Sequence, residues 1–212
     1  MTDIEGRLRA AFGDRELAPA TFHAFEHALR FSLEGDQMEL SVIERFLTAI
    51  DRAREIGRVA FSSTRQLAVV VEAWAEGSAS RILRRDLARL AWLGLGSFDL
   101  AFAERTEPQT DYREDFGKPL WRWRWCLETT EVERTLDTIL WLACSREMAI
   151  EPRLRGFSFL LIDIDRAVLI NVYDDRGMDV AAMNPKEIAS LCSRFRTWLL
   201  ASSGEFDGGS HD

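Results

Sequence analysis

Seven residues near the carboxyl end, Tyr173 to Asp179, include five side chains that can exchange a proton or bind an ion. They read Tyr-Asp-Asp-Arg-Gly-Met-Asp and lie between two apolar segments. Asp174 can accept a hydrogen bond from the backbone two residues further on, and Gly177 can adopt a positive φ, which is typical of a turn between strands. The candidate functional residues are therefore Tyr173, Asp174, Asp175, Arg176, Gly177 and Asp179.

Three interpretations of this motif remain open. In the first, Asp175, Arg176 and Asp179 form a local ion-pair network that only stabilises the turn. In the second, the turn belongs to a surface that a partner protein recognises. In the third, the carboxylates of Asp174, Asp175 and Asp179 hold Mg²⁺ or Mn²⁺, which prefer oxygen ligands, in a hydrolase or phosphotransferase. We assign no catalytic residue, no metal-binding residue and no cofactor.

Two other patterns predict ordinary structure. The run His23-Ala24-Phe25-Glu26-His27 has the residue order of inverted zinc peptidases. A strand pattern begins at Leu29, however, and leaves little room for the helix that such a site needs. Each of the cysteines Cys126, Cys144 and Cys192 lies among apolar neighbours and outside any Cys-x-x-Cys pair. We therefore expect buried thiols.

A strand with alternating tryptophan and arginine is predicted at residues 120–127. The alternation places Trp121, Trp123 and Trp125 on one face and Arg122 and Arg124 on the other. An aromatic face beside guanidinium groups can stack nucleotides. A half-buried strand has the same pattern, and we expect the tryptophans to face the core and the arginines to face solvent.

The elements that must position the motif are three successive strands at residues 157–164, 167–173 and 178–182. Short connections between consecutive strands predict an antiparallel meander. Upstream, helices are predicted at 3–12, 43–61, 81–93 and after Thr130, and strands at 29–33, 67–71 and 97–103. Asn184-Pro185-Lys186-Glu187 predicts the start of a helix that reaches Leu199. The expected fold is α+β, with a mixed, largely antiparallel sheet and helices mostly on one face.

Composition limits the function classes. Of 212 residues, 47% are apolar and 29% charged, as in an average soluble globular protein. The formal net charge is −8, which disfavours nucleic acid as a partner. No apolar stretch approaches the ~18 residues of a membrane span, and residues 1–7 do not resemble a signal peptide. We predict a cytoplasmic protein without membrane contact, with one domain at 1–201 and a disordered tail at 202–212.

At this motif the chain resembles the bacterial family called domain of unknown function 3885. The similar C-terminal segment comprises Tyr173 to Asp179 and a helix that ends in Trp198-Leu199-Leu200. A second similar block holds residues 29–33, residues 51–56 with Phe61, and the valine-rich strand that follows. Ser32 stands where the family pattern has an acidic residue. Together the two blocks cover about half of the chain.

The resemblance implies no established activity, but the family is linked to Rhs-type polymorphic-toxin loci. It therefore implies an immunity or accessory role. With an acidic chain and no recognised catalytic constellation, we predict a non-catalytic protein-interaction module, of the immunity type, whose partner is a basic, toxin-like protein. The motif and the polar, acidic connection at residues 104–119 are the predicted contact surface. The metal-dependent hydrolase or phosphotransferase is the alternative.

Overall fold

The computed structural model describes residues 4–13, 15, 17, 21–35, 40–76, 81–96, 98, 104–106, 120–154 and 156–203. The helices are α1 Ile4–Phe12, α2 Thr21–Ala24, α3 Val42–Ala60, α4 Arg81–Trp92, α5 Val132–Cys144 and α6 Ala189–Arg194, with a 3₁₀ helix at Pro185–Glu187. The strands are β1 His27–Ser32, β2 Leu67–Glu76, β3 Glu104–Thr106, β4 Leu120–Thr129, β5 Phe157–Asp163, β6 Val168–Val172, β7 Gly177–Ala182 and β8 Leu199–Ser203. Across these described ranges, every helix is too short or too polar to cross a bilayer.

All eight strands form one sheet in the order β3-β4-β2-β5-β6-β7-β1-β8. Each neighbouring pair is antiparallel. The predicted meander is confirmed, because β5, β6 and β7 are adjacent and in sequence order. The α+β class is confirmed as well. The first strand, β1, crosses to the far side of the meander and pairs with β7 and β8.

The two faces of the sheet are covered unequally. On one face, which we call the helical face, α3, α4, α5 and α6 bury the larger core, and alternate strand residues such as Leu29, Phe31 and Val180 point into it. On the other face, which we call the second face, α1 and its neighbours cover a smaller cluster that includes Leu8 and Ala181. Strand side chains alternate between faces, so both layers are built from the same strands.

Helix α3 begins where its capping box predicts. The Ser41 hydroxyl accepts the Glu44 backbone N–H at 3.3 Å, and the Glu44 carboxylate accepts the Ser41 N–H at 2.9 Å. Reciprocal bonds of this kind satisfy backbone donors that a helix start leaves open. The hydrogen bonds of Ser41 lower the pKa of the Glu44 carboxyl from its ordinary value.

The predicted C-terminal helix is wrong in its second half. Asn184 caps the start, as expected, by accepting the Lys186 N–H at 3.1 Å. The α-helix nevertheless ends at Arg194, and Leu199 opens strand β8. The reason is tertiary, because the outer edge of β1 has unpaired backbone groups that β8 satisfies. Ser202 and Ser203 belong to β8, so the strand extends into the predicted tail; residues 204–212 lie outside the described residues.

Two further expectations concern the end of the sheet at β3. Of the strand predicted at 97–103, only Phe98 is among the described residues. Of the connection at 104–119, Glu104–Thr106 form β3, which pairs with β4 at the edge of the sheet. The predicted acidic contact segment at 107–119 lies outside the described residues.

Candidate functional site

The motif forms the connection between β6 and β7. Asp174 closes it: its carboxylate accepts the Arg176 backbone N–H at 2.8 Å and the Arg176 Nε–H at 2.9 Å. The Asp174 side chain is 4% exposed, whereas that of Arg176 is 67% exposed. Asp174 therefore has the turn-forming position that its sequence predicts, and only the guanidinium of this pair reaches solvent.

Asp175 points to the helical face. Its Oδ2 lies 2.8 Å from Nε of Arg45 on α3, yet the two atoms are not aligned as a hydrogen bond, and this buried oxygen has no other partner among the described residues. The thiol of Cys144, on α5, lies in the same region, 4.0 Å from the Asp174 carbonyl. Burial, with the charges of Asp175 and Asp174, raises the pKa of this thiol, so Cys144 is an unreactive core residue.

Asp179 points to the second face. It lies directly opposite Arg30 of β1, and its carboxylate accepts hydrogen bonds from Nε and Nη2 of Arg30 at 2.8 and 3.0 Å. The same carboxylate accepts the backbone N–H of Phe22, in the first turn of α2, at 3.2 Å. The Arg30 guanidinium also lies over the rings of Phe22 and Tyr173, with distances to the ring centroids of 4.6 and 5.8 Å. The faces of aromatic rings attract a cation at such distances, so these contacts are cation–π interactions.

Gly177 is needed because the Tyr173 side chain lies close to it, and not because its φ is positive. Its φ is not among the positive values of the described glycines, so that expectation is wrong. A Cβ at this position would lie 2.1 Å from the Tyr173 hydroxyl oxygen. Tyr173 is half-buried across the start of β7, and burial, with the charge of Asp179, raises its pKa to about 12. The phenol is therefore neutral at physiological pH.

The three aspartates do not converge on one centre. Asp174 is engaged by Arg176, Asp175 by Arg45, and Asp179 by Arg30. Asp175 and Asp179 lie toward opposite faces of the sheet, and each carboxylate has its own cation. In the part of the chain that the structure describes, no group of three or more His, Cys, Asp or Glu side chains is arranged to hold a metal. His23 and His27 lie on different elements, in α2 and β1.

A buried charged cluster on the second face was missed by the sequence interpretation. Glu72 of β2 is 1% exposed. Its Oε1 accepts a hydrogen bond from Nη2 of Arg122 and another, at 3.2 Å, from Nη1 of Arg124. Its Oε2 is buried without a hydrogen-bond partner in the described ranges. Trp123 and Trp125 face the helical core as expected. The expectation of solvent-facing arginines is wrong.

The arginines are covered because the second face has its own layer. Their side chains are only 15% and 13% exposed, and Arg124 also donates to the Leu17 carbonyl at 3.1 Å. The available signal was Glu72, a charged residue in the middle of the valine-rich strand β2. Glu72 lies opposite Arg124 in the register, and a lone carboxylate in a central strand predicts a buried cation beside it.

The outer surface of the helices has exposed apolar side chains, which the sequence interpretation also missed. Trp92 at the end of α4 is 83% exposed, and Trp141 of α5 is 37% exposed. Leu93 and Trp141 line a mainly apolar groove of about 270 Å³ together with Asp137, Thr138, Leu142 and Pro152. On α3, Ile43 and Leu47 are 58% and 51% exposed, one helical turn apart. We call Trp92, Trp141, Ile43, Leu47 and the groove the tryptophan surface.

Trp141 packs against α3, the helix that carries Ile43 and Leu47. Its ring packs edge-on against Phe46 of α3, with ring centroids 4.8 Å apart, so α3 and α5 are neighbours here. The two helices are antiparallel, because Arg54, which follows Phe46 on α3, donates at 2.7 Å to Asp137, which precedes Trp141 on α5. Clustered apolar side chains on an outer face often mark a binding site.

Comparison with known proteins identifies a family and nothing closer. The family model described as "Domain of unknown function (DUF3885)" matches residues 4–203. The match extends well beyond the two blocks that carried the resemblance, and includes α4, β4 and α5. Neither the search of curated proteins nor that of solved structures finds a match.

Proposed function

The chain belongs to the DUF3885 family, whose description states no activity, and we propose that it is a non-catalytic protein-interaction module that binds its partner through the tryptophan surface. The observation that carries this proposal is the exposure of Trp92 and Trp141 on one helical layer beside an apolar groove. Exposing large aromatic side chains to water is unfavourable. Tryptophan is also among the residues that contribute most to protein interfaces.

The arrangement of charges disfavours the metal-dependent alternative. The carboxylates of Asp174, Asp175 and Asp179 are buried and each contacts an arginine. Binding a divalent cation would require displacing an arginine from each of these buried carboxylates. The metal-dependent hydrolase or phosphotransferase therefore gains no support from these residues.

The immunity-type role stays part of the proposal, and rests on the family's link to toxin loci and on the net charge of −8. Net charge acts on the approach of a partner at long range. At the contact itself, only charges within a screening length of about 8 Å interact strongly with the partner. The carboxylates of the motif are buried, so they offer a basic partner no contact, and the partner must be sought at the tryptophan surface.

The test is affinity capture from cells that express the protein naturally, with three baits. They are the wild type, the double variant Trp92→Ala/Leu47→Ser, and the control Leu200→Ser, which changes another exposed apolar residue on the edge strand β8. The proposal predicts a partner that wild type and control retain and the double variant loses. The captured protein is then purified, and its affinity for each variant is measured by calorimetry.

Two results would contradict the proposal. One is a set of captured proteins that does not differ between the double variant and the control. The other is a rise in Tm with millimolar Mg²⁺ or Mn²⁺ that disappears in Asp175→Asn, because stabilisation by a ligand reports binding to the folded state. The second result would favour the metal-dependent alternative.

A further inference from the structure

Helix α4 has a strongly basic outer face on an acidic protein. Its buried side is formed by Leu83, Leu87 and Leu90. Its outer side has four arginines, of which three are exposed and one is half-buried: Arg81, Arg84, Arg85 and Arg89. Against them the helix has a single acid, Asp86, so its net charge is four minus one, or +3. The whole chain has a net charge of −8.

The one acid on α4 does not neutralise this face. Asp86 lies 3.0 Å from Nε of Arg85 and 3.5 Å from Nη1 of Arg89, and its side chain is only 11% exposed. The structure records no ion pair for Arg81 or Arg84 with a described residue. Arg81, Arg85 and Arg89 follow one another at four-residue intervals, where like charges destabilise a helix. A bound anion would relieve this repulsion.

The basic face and the tryptophan surface are continuous. Trp92 is the last residue of α4, and Leu93, which follows it, lines the groove with Trp141. Four-residue steps along a helix rise ~6 Å each. The three arginines therefore span about 12 Å and lead to the exposed tryptophan at one end.

We propose that α4 docks an acidic segment of a partner protein, whose carboxylates pair with the arginines of α4 and whose apolar side chain packs against Trp92 and enters the groove. This inference rests on the proposed function and adds the charge of the partner's contact segment. Arginine and carboxylate make strong paired hydrogen bonds. Arginine and tryptophan together are typical of the most strongly binding residues of an interface.

The same face fits other polyanions less well. A single-stranded nucleic acid is bound by aromatic side chains interleaved with basic ones, so that successive bases stack, whereas here one tryptophan lies at the end of the row. A membrane-surface helix inserts an apolar face, and the leucines of α4 are turned into the core. Ile82 and Trp92 are the large apolar side chains of this helix that are exposed.

The first test uses the full chain and a defined probe. The probe is a fluorescein-labelled synthetic helical peptide of about four helical turns, or roughly sixteen residues. It has glutamate at every fourth position and leucine residues at one end. Binding is followed by anisotropy at several salt concentrations. We expect Arg81→Glu/Arg85→Glu and Trp92→Ala each to weaken binding by about tenfold or more.

The matched control is Arg9→Glu/Arg196→Glu. It has the same net charge as the α4 double variant, but its two exposed arginines lie on α1 and after α6. We expect it to bind the peptide within about twofold of the wild type, because charges distant from an interface act mainly through the screened long-range field. An equal loss of binding in both double variants would mean that net charge, and not α4, governs the contact. Thermal melts confirm that every variant is folded.

Further outcomes distinguish this inference from the proposed function. If the partner identified through the tryptophan surface is retained by Arg81→Glu/Arg85→Glu, the acidic-segment inference fails and the interaction module stands. If no partner depends on the tryptophan surface, the proposed function fails, whatever the peptide does. Two further probes are a 20-nucleotide oligo-dT and vesicles of phosphatidylserine and phosphatidylcholine. The inference is overturned in favour of a nucleic acid or a membrane if one of them binds more tightly than the peptide and depends equally on Arg81 and Arg85.

Discussion

Arg30 and Asp179 lie directly opposite each other on β1 and β7, and the guanidinium of Arg30 binds both oxygens of the Asp179 carboxylate, at 2.8 and 3.0 Å. The pair joins the first strand of the chain to the last strand of the meander. Asp179 is 1% exposed and Arg30 is 30% exposed. Asp179 therefore stays shielded from water when Arg30 is removed, whereas Arg30 can be solvated when Asp179 is removed.

This difference predicts an asymmetry between two substitutions. Arg30→Met leaves a buried carboxylate without its cation, and we expect it to lower the free energy of unfolding by about 3 kcal/mol. Asp179→Asn leaves an arginine that can reach solvent, so we expect a smaller loss, about 1–2 kcal/mol. Urea unfolding of both variants and of the double variant measures the losses and their coupling.

A matched pair on the surface is the control for this cycle. Arg58 and Glu133 are 2.9 Å apart with side chains 52% and 66% exposed, and we expect a coupling below about 1 kcal/mol. A larger loss for Asp179→Asn than for Arg30→Met would contradict the burial argument.

Gly177→Ala tests the close approach of Tyr173. The added Cβ would lie 2.1 Å from the phenol oxygen, so the ring must move, and we expect a loss of stability of about 1–3 kcal/mol. In a Tyr173→Ala background the obstruction is gone and the same substitution has little effect. An equal loss in both backgrounds would assign the requirement for glycine to the backbone instead.

Tyr173 predicts a loss of stability at high pH. Burial raises its pKa to about 12, above the value of about 10 of an unfolded chain. The folded state therefore holds the proton more tightly, and this contribution to stability is fully present below pH ~10 and is lost as the pH rises toward ~12. The measurement compares unfolding of the wild type and Tyr173→Phe between pH 9 and 12, where tyrosinate absorbance near 295 nm reports the titration.

The difference between the two proteins is the informative quantity, because other groups titrate in the same range. Burial and the neighbouring Glu5 raise the pKa of the Cys126 thiol to about 12 as well. This thiol is present in both proteins, so its contribution cancels. Parallel stability curves for wild type and Tyr173→Phe across this range would contradict a raised pKa for Tyr173.

Removing Glu72 tests the charged cluster on the second face. Glu72→Met leaves Arg122 and Arg124, which are 15% and 13% exposed, without their shared carboxylate. We expect a loss of about 3 kcal/mol. Further replacement of Arg124 by Met is expected to restore part of it, because one of the two arginines that lost the Glu72 carboxylate is then absent. A neutral or stabilising effect of Glu72→Met alone would show that the cluster does not depend on this ion pair.

Local patterns were sufficient for the elements whose signals lie within a few residues. The meander followed from three apolar runs with short connections, and α3 began at its capping box between Ser41 and Glu44. The bond from Asp174 to the backbone of Arg176 was predictable for the same reason, since both atoms belong to one turn. The order of such elements indicated an α+β fold.

Partners that are distant in the chain could not be predicted. Arg45, which faces Asp175, and Arg30, which binds Asp179, each lie more than a hundred positions earlier in the sequence. Leu199 has the apolar spacing of a helix, yet it forms β8 because the edge of β1 offers backbone hydrogen bonds. Hydrophobic periodicity reports which side chains are buried and not which strand is adjacent.

By itself, then, the sequence determined the composition of the elements, the turn of the motif and the alternation that sends Trp123 and Trp125 into the core. Only the tertiary structure decided that Asp175 and Asp179 contact two separate, distant arginines, and that α4 presents its basic face beside Trp92. The physical reason is that side-chain alternation and helical spacing act over a few residues. Which charge lies within hydrogen-bonding distance depends on the packing of the whole sheet.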